Sequence, residues 1–221
     1  MKNNNKGELE MLKKILIAAA LIGTLGLTLH AQETVADADK YATQARQYFQ
    51  QGNYAKALEF FNKVLAICLK VLGENHPGTA QSYNNIGEVY RQQGYYAQAL
   101  EYHNKALVIR LKVLGENHPD TAQSYNNFGV LYDNQGKSAQ ALEYHNKALA
   151  IRLKVLGENH PDTAVSHYNI GGMLYRSGKK TEARDHLRKA AAIALKTLGP
   201  DHPYTKQFSA ALQFVENELS K

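Results

Sequence analysis

A segment of 42 residues recurs along this 221-residue chain, and this repetition constrains the fold more than any other feature of the sequence. Gly-Glu-Asn-His-Pro at residues 73–77 returns at 115–119 and 157–161, and the variant Gly-Pro-Asp-His-Pro follows at 199–203. Fixed periods of about 20 to 50 residues are typical of solenoids, in which each repeat buries its apolar surface against the next. The chain is therefore predicted to form one array of stacked repeats.

Each repeat has the apolar pattern of two antiparallel helices, which we call the A helix and the B helix. In the second copy Tyr83, Ile86 and Tyr90 have the spacing of one helical stripe, which predicts the A helix. Gly94 interrupts this stripe, and a longer apolar stripe over residues 96–114 predicts the B helix. The composition agrees, because strong helix formers such as Ala, Leu, Lys, Glu and Gln are abundant.

The residues between the stripes have the chemistry of helix ends. Gly115 is expected to end the B helix in a left-handed conformation, and Asp120 or Thr121 is expected to cap the next A helix. Small residues at Gly87 and Ala99 favour a close crossing of the A and B helices. Turn chemistry and apolar period thus predict the same helix pairs.

This pattern resembles the tetratricopeptide repeat, in the 42-residue form of the kinesin light chains. The matching residues in the second and third copies are Tyr83, Gly87, Tyr90, Gly94, Tyr96, Ala99 and Ala106, with Tyr125, Gly129, Tyr132, Gly136, Ala141 and Ala148. The resemblance covers residues 36–206 and implies an all-α, right-handed superhelical solenoid of antiparallel helix pairs. It divides the array, residues 32–206, into about four repeats, at 36–77, 78–119, 120–161 and 162–203, with a capping helix over 204–221.

Residues 1–31 have the pattern of a secretory signal peptide. Lys13 and Lys14 precede an uncharged run, residues 15–29, and Ala31 offers a cleavage position. As a helix this run would span about 22 Å, short of the roughly 30 Å hydrocarbon core of a bilayer. We expect an exported protein, periplasmic or secreted, with Met11 as an alternative start. An uncleaved leader that anchors the protein in the membrane is the other interpretation.

The family resemblance implies that a partner protein or peptide binds as an extended segment in the concave groove lined by the A helices. The predicted groove residues are Arg46 in the first repeat, Gln81, Asn84, Asn85, Glu88 and Arg91 in the second, Gln123, Asn126, Asn127 and Asp133 in the third, and Tyr168, Asn169, Tyr175 and Arg176 in the fourth. Arginine is sparse in this set, so recognition of a C-terminal carboxylate is weakly supported.

The amides of the groove are its most regular feature. Asn85, Asn127 and Asn169 repeat with the 42-residue period, and an amide both donates and accepts hydrogen bonds. Such a ladder is suited to pairing with the backbone of a bound peptide, whatever its side chains. The alternative is that these amides solvate a polar face or pair between neighbouring repeats.

No sequence motif indicates an enzyme, since the zinc helix His-Glu-x-x-His, a nucleophile elbow and a phosphate-binding glycine loop are all missing. His76, His118, His160 and His202 recur, but neighbouring copies should be about 10 Å apart, whereas zinc requires ligands about 2 Å away. We expect these histidines to hold the turns by hydrogen bonds. No metal, cofactor or small-molecule substrate is predicted.

The charge is concentrated in the last repeat. Residues 167–208 contain eight Lys or Arg against three Asp or Glu, which fits either a weak contact with an anionic surface or a merely solvated last repeat. Nucleic acid is not predicted, because the protein is expected to be exported and no aromatic stripe accompanies the basic residues. The leading functional hypothesis is an exported interaction module or adaptor. The alternatives are a self-associating scaffold, with the protein as a homo-oligomer, and a membrane-associated accessory subunit of an envelope complex.

Overall fold

The computed structural model describes residues 25–221, with side chains from residue 36 onward, and these residues form nine α-helices and no strand. The helices are α1 (Leu25–Gln50), α2 (Tyr54–Val71), α3 (Pro77–Gln92), α4 (Tyr96–Leu114), α5 (Pro119–Asn134), α6 (Ser138–Val155), α7 (Pro161–Arg176), α8 (Lys180–Leu198) and α9 (Pro203–Leu219). Each helix packs against its neighbours in sequence. The predicted all-α solenoid of antiparallel helix pairs is confirmed.

The helices α1, α3, α5 and α7 are the A helices of four pairs, and α9 occupies the place of a fifth A helix. Helix α1 has 26 residues, whereas α3, α5 and α7 have 16 each. At the other end, Phe208 and Val215 of α9 are 2% exposed, and the Phe208 ring stacks on Tyr168 with centroids 4.6 Å apart. Helix α9 therefore covers the apolar end of the last pair.

Each recurrent histidine caps the A helix that follows it. The Nδ1 atoms of His76, His118, His160 and His202 accept hydrogen bonds of 3.0 to 3.2 Å from the backbone N–H two residues later. The predicted role of these histidines in the turns is confirmed, but the expectation that Asp120 or Thr121 caps α5 is wrong. The N-cap is His118, two residues before Asp120, and the helix begins at Pro119, where proline has no N–H to leave unpaired.

The Thr121 hydroxyl instead donates to the backbone oxygen of Gly115, at 2.8 Å, and ties the end of α4 to the start of α5. Gly115 itself has φ 84° and ψ 174°. The positive φ agrees with the prediction, but ψ is extended rather than left-handed helical. This region of backbone conformation is essentially restricted to glycine, which explains a glycine at the end of this helix.

Glycines of the A helices allow the B helices to approach closely. A Cβ atom at Gly87 would lie 3.0 Å from the His103 ring, and one at Gly129 would lie 2.6 Å from the His145 ring. At Gly171 the Cβ would lie 2.8 Å from Cγ of Leu187. The predicted close crossing of A and B helices therefore depends on the missing side chain of the glycine.

Two adjacent glycines of α7 provide a matched test of this packing. We expect Gly171→Ala to destabilise the protein by about 1 to 2 kcal/mol, because overpacking outweighs the helix propensity gained. Gly172→Ala should stabilise it by about 0.5 to 1 kcal/mol, because the nearest atom to a Cβ there is Nη1 of Arg176, at 3.7 Å. Urea unfolding followed by circular dichroism measures both. Changes of the same sign would contradict the proposed crossing.

The predicted leader, residues 1–31, and the alternative start at Met11 lie outside the described residues, except that the backbone of residues 25–31 belongs to α1. Among the helices that are described, none combines the length and the hydropathy needed to cross a bilayer.

Candidate peptide-binding groove

The predicted groove residues lie on the A helices, with Arg46 on α1 and the others on α3, α5 and α7. Most of them are partly exposed, but Asn126 is only 7% exposed. Contacts with neighbouring repeats occupy much of this face.

The amides pair between repeats. Nδ2 of Asn127 donates to Oδ1 of Asn84, at 2.6 Å, and Nδ2 of Asn169 donates to Oδ1 of Asn126, at 2.9 Å. The Asn127 oxygen also accepts from Nε2 of Gln123, at 2.8 Å. Asn127 and Asn169 of the predicted ladder therefore pair between neighbouring repeats, one of the alternatives to peptide binding, and so join successive A helices.

Two buried arginines extend this network into the core. Arg110 and Arg152 are each 2% exposed, and Nη2 of Arg152 donates to Oε1 of Gln123, at 2.8 Å. Its Nη1 donates to the backbone oxygen of Asp162 and to Oγ of Ser166, at 3.1 and 2.8 Å. A continuous chain of hydrogen bonds therefore runs from the buried Arg152 through α5 to the groove.

The burial of these arginines was not predicted from the sequence. The signal was present, because Arg110 and Arg152 occupy a buried helix B position that holds Cys68 in the first copy and Ala194 in the fourth. Cys68 itself is buried against Ser82, and burial raises the pKa of its thiol. This fits a packing role and opposes the thiolate that a nucleophile requires.

Four charged groove residues form two ion pairs. The guanidinium of Arg91 binds the carboxylate of Glu88, and Nη2 of Arg176 lies 2.6 Å from Oδ2 of Asp133. The second of these pairs joins α7 to α5. A ligand that carries a carboxylate would have to compete with these internal partners.

The basic last repeat is also largely compensated. Six of its eight Lys and Arg side chains lie within 3.6 Å of a carboxylate, namely Arg176, Lys179, Lys180, Arg184, Arg188 and Lys206. Exposed pairs of this kind contribute little to stability, but they do reduce the charge available to a partner.

A cavity of about 280 Å³ opens on the concave face between α5, α7 and α9. Its lining includes five of the predicted groove residues, Asp133, Tyr168, Asn169, Tyr175 and Arg176. Two parts of the lining were not predicted from the sequence, the α9 wall of Ala211, Phe214 and Val215, and His145. Continuing the 42-residue period into α9 would have found the wall, because it aligns Phe214 with Gly172.

The cavity exists because the repeat position at Gly172 loses its side chain. The same position is Glu88 in the second copy and Val130 in the third. Phe214, one period later, is 55% exposed and lies at the rim, with its ring centroid 5.5 Å from that of Tyr175. At this repeat position Gly172 lies between the larger Val130 and Phe214, and the space that a side chain would fill forms the cavity.

His145 lines the cavity, and further histidines at positions 103, 167 and 186 are wholly or partly buried elsewhere in the array. Burial lowers the pKa of His103 and of His145 to about 4, so both rings are neutral near pH 7. The Nδ1 atoms of His167 and His186 lie 3.0 Å apart, where earlier copies have pairs of aromatic rings. No group of three or more His, Cys, Asp or Glu suited to a metal ion is found in the described residues.

Comparisons with known proteins agree with this architecture. A crystal structure of a Podosopora anserina protein, described as a kinesin light chain with nearly identical TPR-like repeats, matches with 27% identity and a TM-score of 0.67 over 81% of this chain and 84% of the other. BtubC from P. vanneervenii matches with 25% identity and a TM-score of 0.65, over 91% and 77%. The apo form of RapI, at 20% identity and a TM-score of 0.66 over 83% and 49%, shares the fold alone.

A search of curated protein sequences gives no match to this chain. The sequence profile of the tetratricopeptide repeat, however, matches three overlapping stretches, residues 41–110, 84–154 and 134–196. These stretches span the first four helix pairs and most of the chain. The helix pairs, their turns and the related structures agree with this match, and the chain therefore belongs to the tetratricopeptide repeat family.

Proposed function

We propose that this protein is an exported interaction module that holds an extended segment of a partner protein on its concave face. Proteins with this repeat generally serve as non-enzymatic scaffolds for protein interactions. The observation that carries the proposal is the cavity between α5, α7 and α9, which opens on the concave face where a bound segment would lie. Export is supported by the sequence of residues 1–31 alone.

The amide network supports this function in a different way from the one predicted. Because Asn127 and Asn169 are used to join A helices, they hold the groove in shape and leave fewer amides for a ligand. A groove that is ordered before binding loses less conformational entropy when a partner is captured. Affinity then comes mainly from side-chain contacts at the last repeat.

Photocrosslinking in intact cells tests the proposal. A benzophenone amino acid placed at Asn85 or Tyr175 should crosslink one defined partner, identified by mass spectrometry. Matched probes at Val108 and Leu195, which are 55% and 54% exposed on the B helices, should not. Equal crosslinking from both faces, or crosslinks only between copies of the protein, would contradict groove binding. Fractionation of the same cells tests export.

A further inference from the structure

We propose that the cavity between α5, α7 and α9 receives one neutral aromatic side chain with a hydrogen-bond donor, tyrosine or tryptophan, from the segment held in the groove. This inference rests on the proposed function and adds a specificity to it. It is carried by the size of the cavity, the charge of its rim and one acceptor in its wall that accepts no hydrogen bond from the described residues.

The size of the cavity matches one large side chain. Its volume is about 280 Å³, below the roughly 300 to 1,000 Å³ of pockets for cofactors and drug-sized ligands. A cavity of about 150 Å³ is enough to hold benzene, so one phenol or indole group fits. The volume therefore suits a single large side chain of a peptide.

The walls are suited to an aromatic ring. Tyr175 and Phe214 meet edge to face at the rim, with ring centroids 5.5 Å apart, and Phe214 is 55% exposed. Tyr168 is held in place by stacking on Phe208 and by a hydrogen bond of 3.1 Å that its hydroxyl oxygen accepts from Nε2 of Gln207. A third ring would extend this cluster and cover the exposed face of Phe214.

The rim selects against charge. Arg176 and Asp133 form an ion pair of 2.6 Å across it, with side chains 54% and 32% exposed. A charged ligand side chain would compete with one member of this pair for the other. A neutral side chain leaves the pair intact.

One acceptor in the wall lacks the donor that its counterparts have. Oδ1 of Asn85 and Oδ1 of Asn127 each accept from a glutamine four residues earlier, at 2.8 Å. In the fourth repeat that glutamine is replaced by Val165, and Oδ1 of Asn169 accepts no hydrogen bond from the described residues. Asn169 lines the cavity, so a tyrosine hydroxyl or an indole N–H would supply the missing donor.

Short capped peptides, Gly-Ser-Xaa-Ser-Gly with Xaa as Tyr, Trp, Phe, Leu or Glu, test the inference on the full-length protein by isotope-edited NMR titration. We expect the Tyr or Trp peptide to bind roughly fivefold more tightly than the Phe peptide, with the Glu peptide weakest. Asn169→Leu should lower the affinity for the Tyr peptide to that for the Phe peptide.

Gly172→Val places in the cavity the residue that the third copy has at this position, and it should abolish binding of all five peptides. Ala97→Val, an exposed position on α4 far from the cavity, is the matched control and should change nothing. Equal affinities for Tyr, Phe and Glu, or binding that survives Gly172→Val in a folded protein, would overturn the inference. If the peptides fail this test but probes in the groove still crosslink a partner, the proposed function stands without the inference. If the groove crosslinks are also absent, both the proposed function and the inference are wrong.

Discussion

Arg152→Ala is expected to lower the free energy of unfolding by about 3 kcal/mol, measured by urea unfolding at neutral pH. The guanidinium is 2% exposed and donates to Gln123, to the backbone oxygen of Asp162 and to Ser166. Each buried acceptor left unpaired costs about 1 to 3 kcal/mol, and a cavity adds to the loss. The alanine variant also avoids the unfavourable free energy of burying a cation, so we expect a loss of stability near the lower end of this range.

Two further variants distinguish the network from the charge. Arg152→Lys keeps the cation, but one ammonium group cannot reproduce the planar fork that joins α5 to α7, so we expect an intermediate loss. Arg188→Ala removes an exposed pair with Glu216, whose side chains are 55% and 43% exposed, and should cost less than about 1 kcal/mol. If Arg152→Ala costs no more than Arg188→Ala, the buried network does not stabilise the array.

The fold was predictable because each local signal reported on a local contact. The glycine at 115 ends a helix, Gly87 allows a close crossing, and the apolar spacing marks the buried stripe. In a solenoid such signals suffice, since helices contact mainly their neighbours in sequence. The cap of α5 was predicted at Asp120 or Thr121, but the ring of His118 accepts the hydrogen bond from the helix N-terminus. Histidine is not among the residues usually expected at this position.

The site was only partly predictable, because its properties depend on contacts between repeats. The period places Asn127 and Asn84 on the same face, but it does not say that their side chains reach each other, at 2.6 Å. The repeat register places Arg152 at a buried position, but the acceptors that pair its guanidinium there lie on two other helices. The cavity lies between Gly172 and Phe214, which are one period apart. It could be predicted only by treating the last helix as a continuation of the repeat array.

Acidification from pH 7 to pH 5 is expected to lower the free energy of unfolding by roughly 2 kcal/mol for each of His103 and His145. Their rings are 0% and 2% exposed, and burial lowers the pKa of each to about 4, against about 6.5 in an unfolded chain. The unfolded state therefore binds more protons between these two pKa values. The stabilisation is complete above pH 6.5 and is lost as the pH falls towards 4.

Neighbouring charges leave this direction unchanged. Glu88 raises the pKa of His103, but Arg91 and Arg110 lower it, and burial exceeds all three effects. His103→Leu with His145→Leu is the matched variant, because the fourth copy already packs Leu187 against Gly171. Urea unfolding at pH 7, 6 and 5 should show a much smaller loss of stability in this variant than in the natural protein. Equal losses would mean that acid acts elsewhere, whereas a flatter profile would show that the same rings that fill the A and B crossings make the array sensitive to acid.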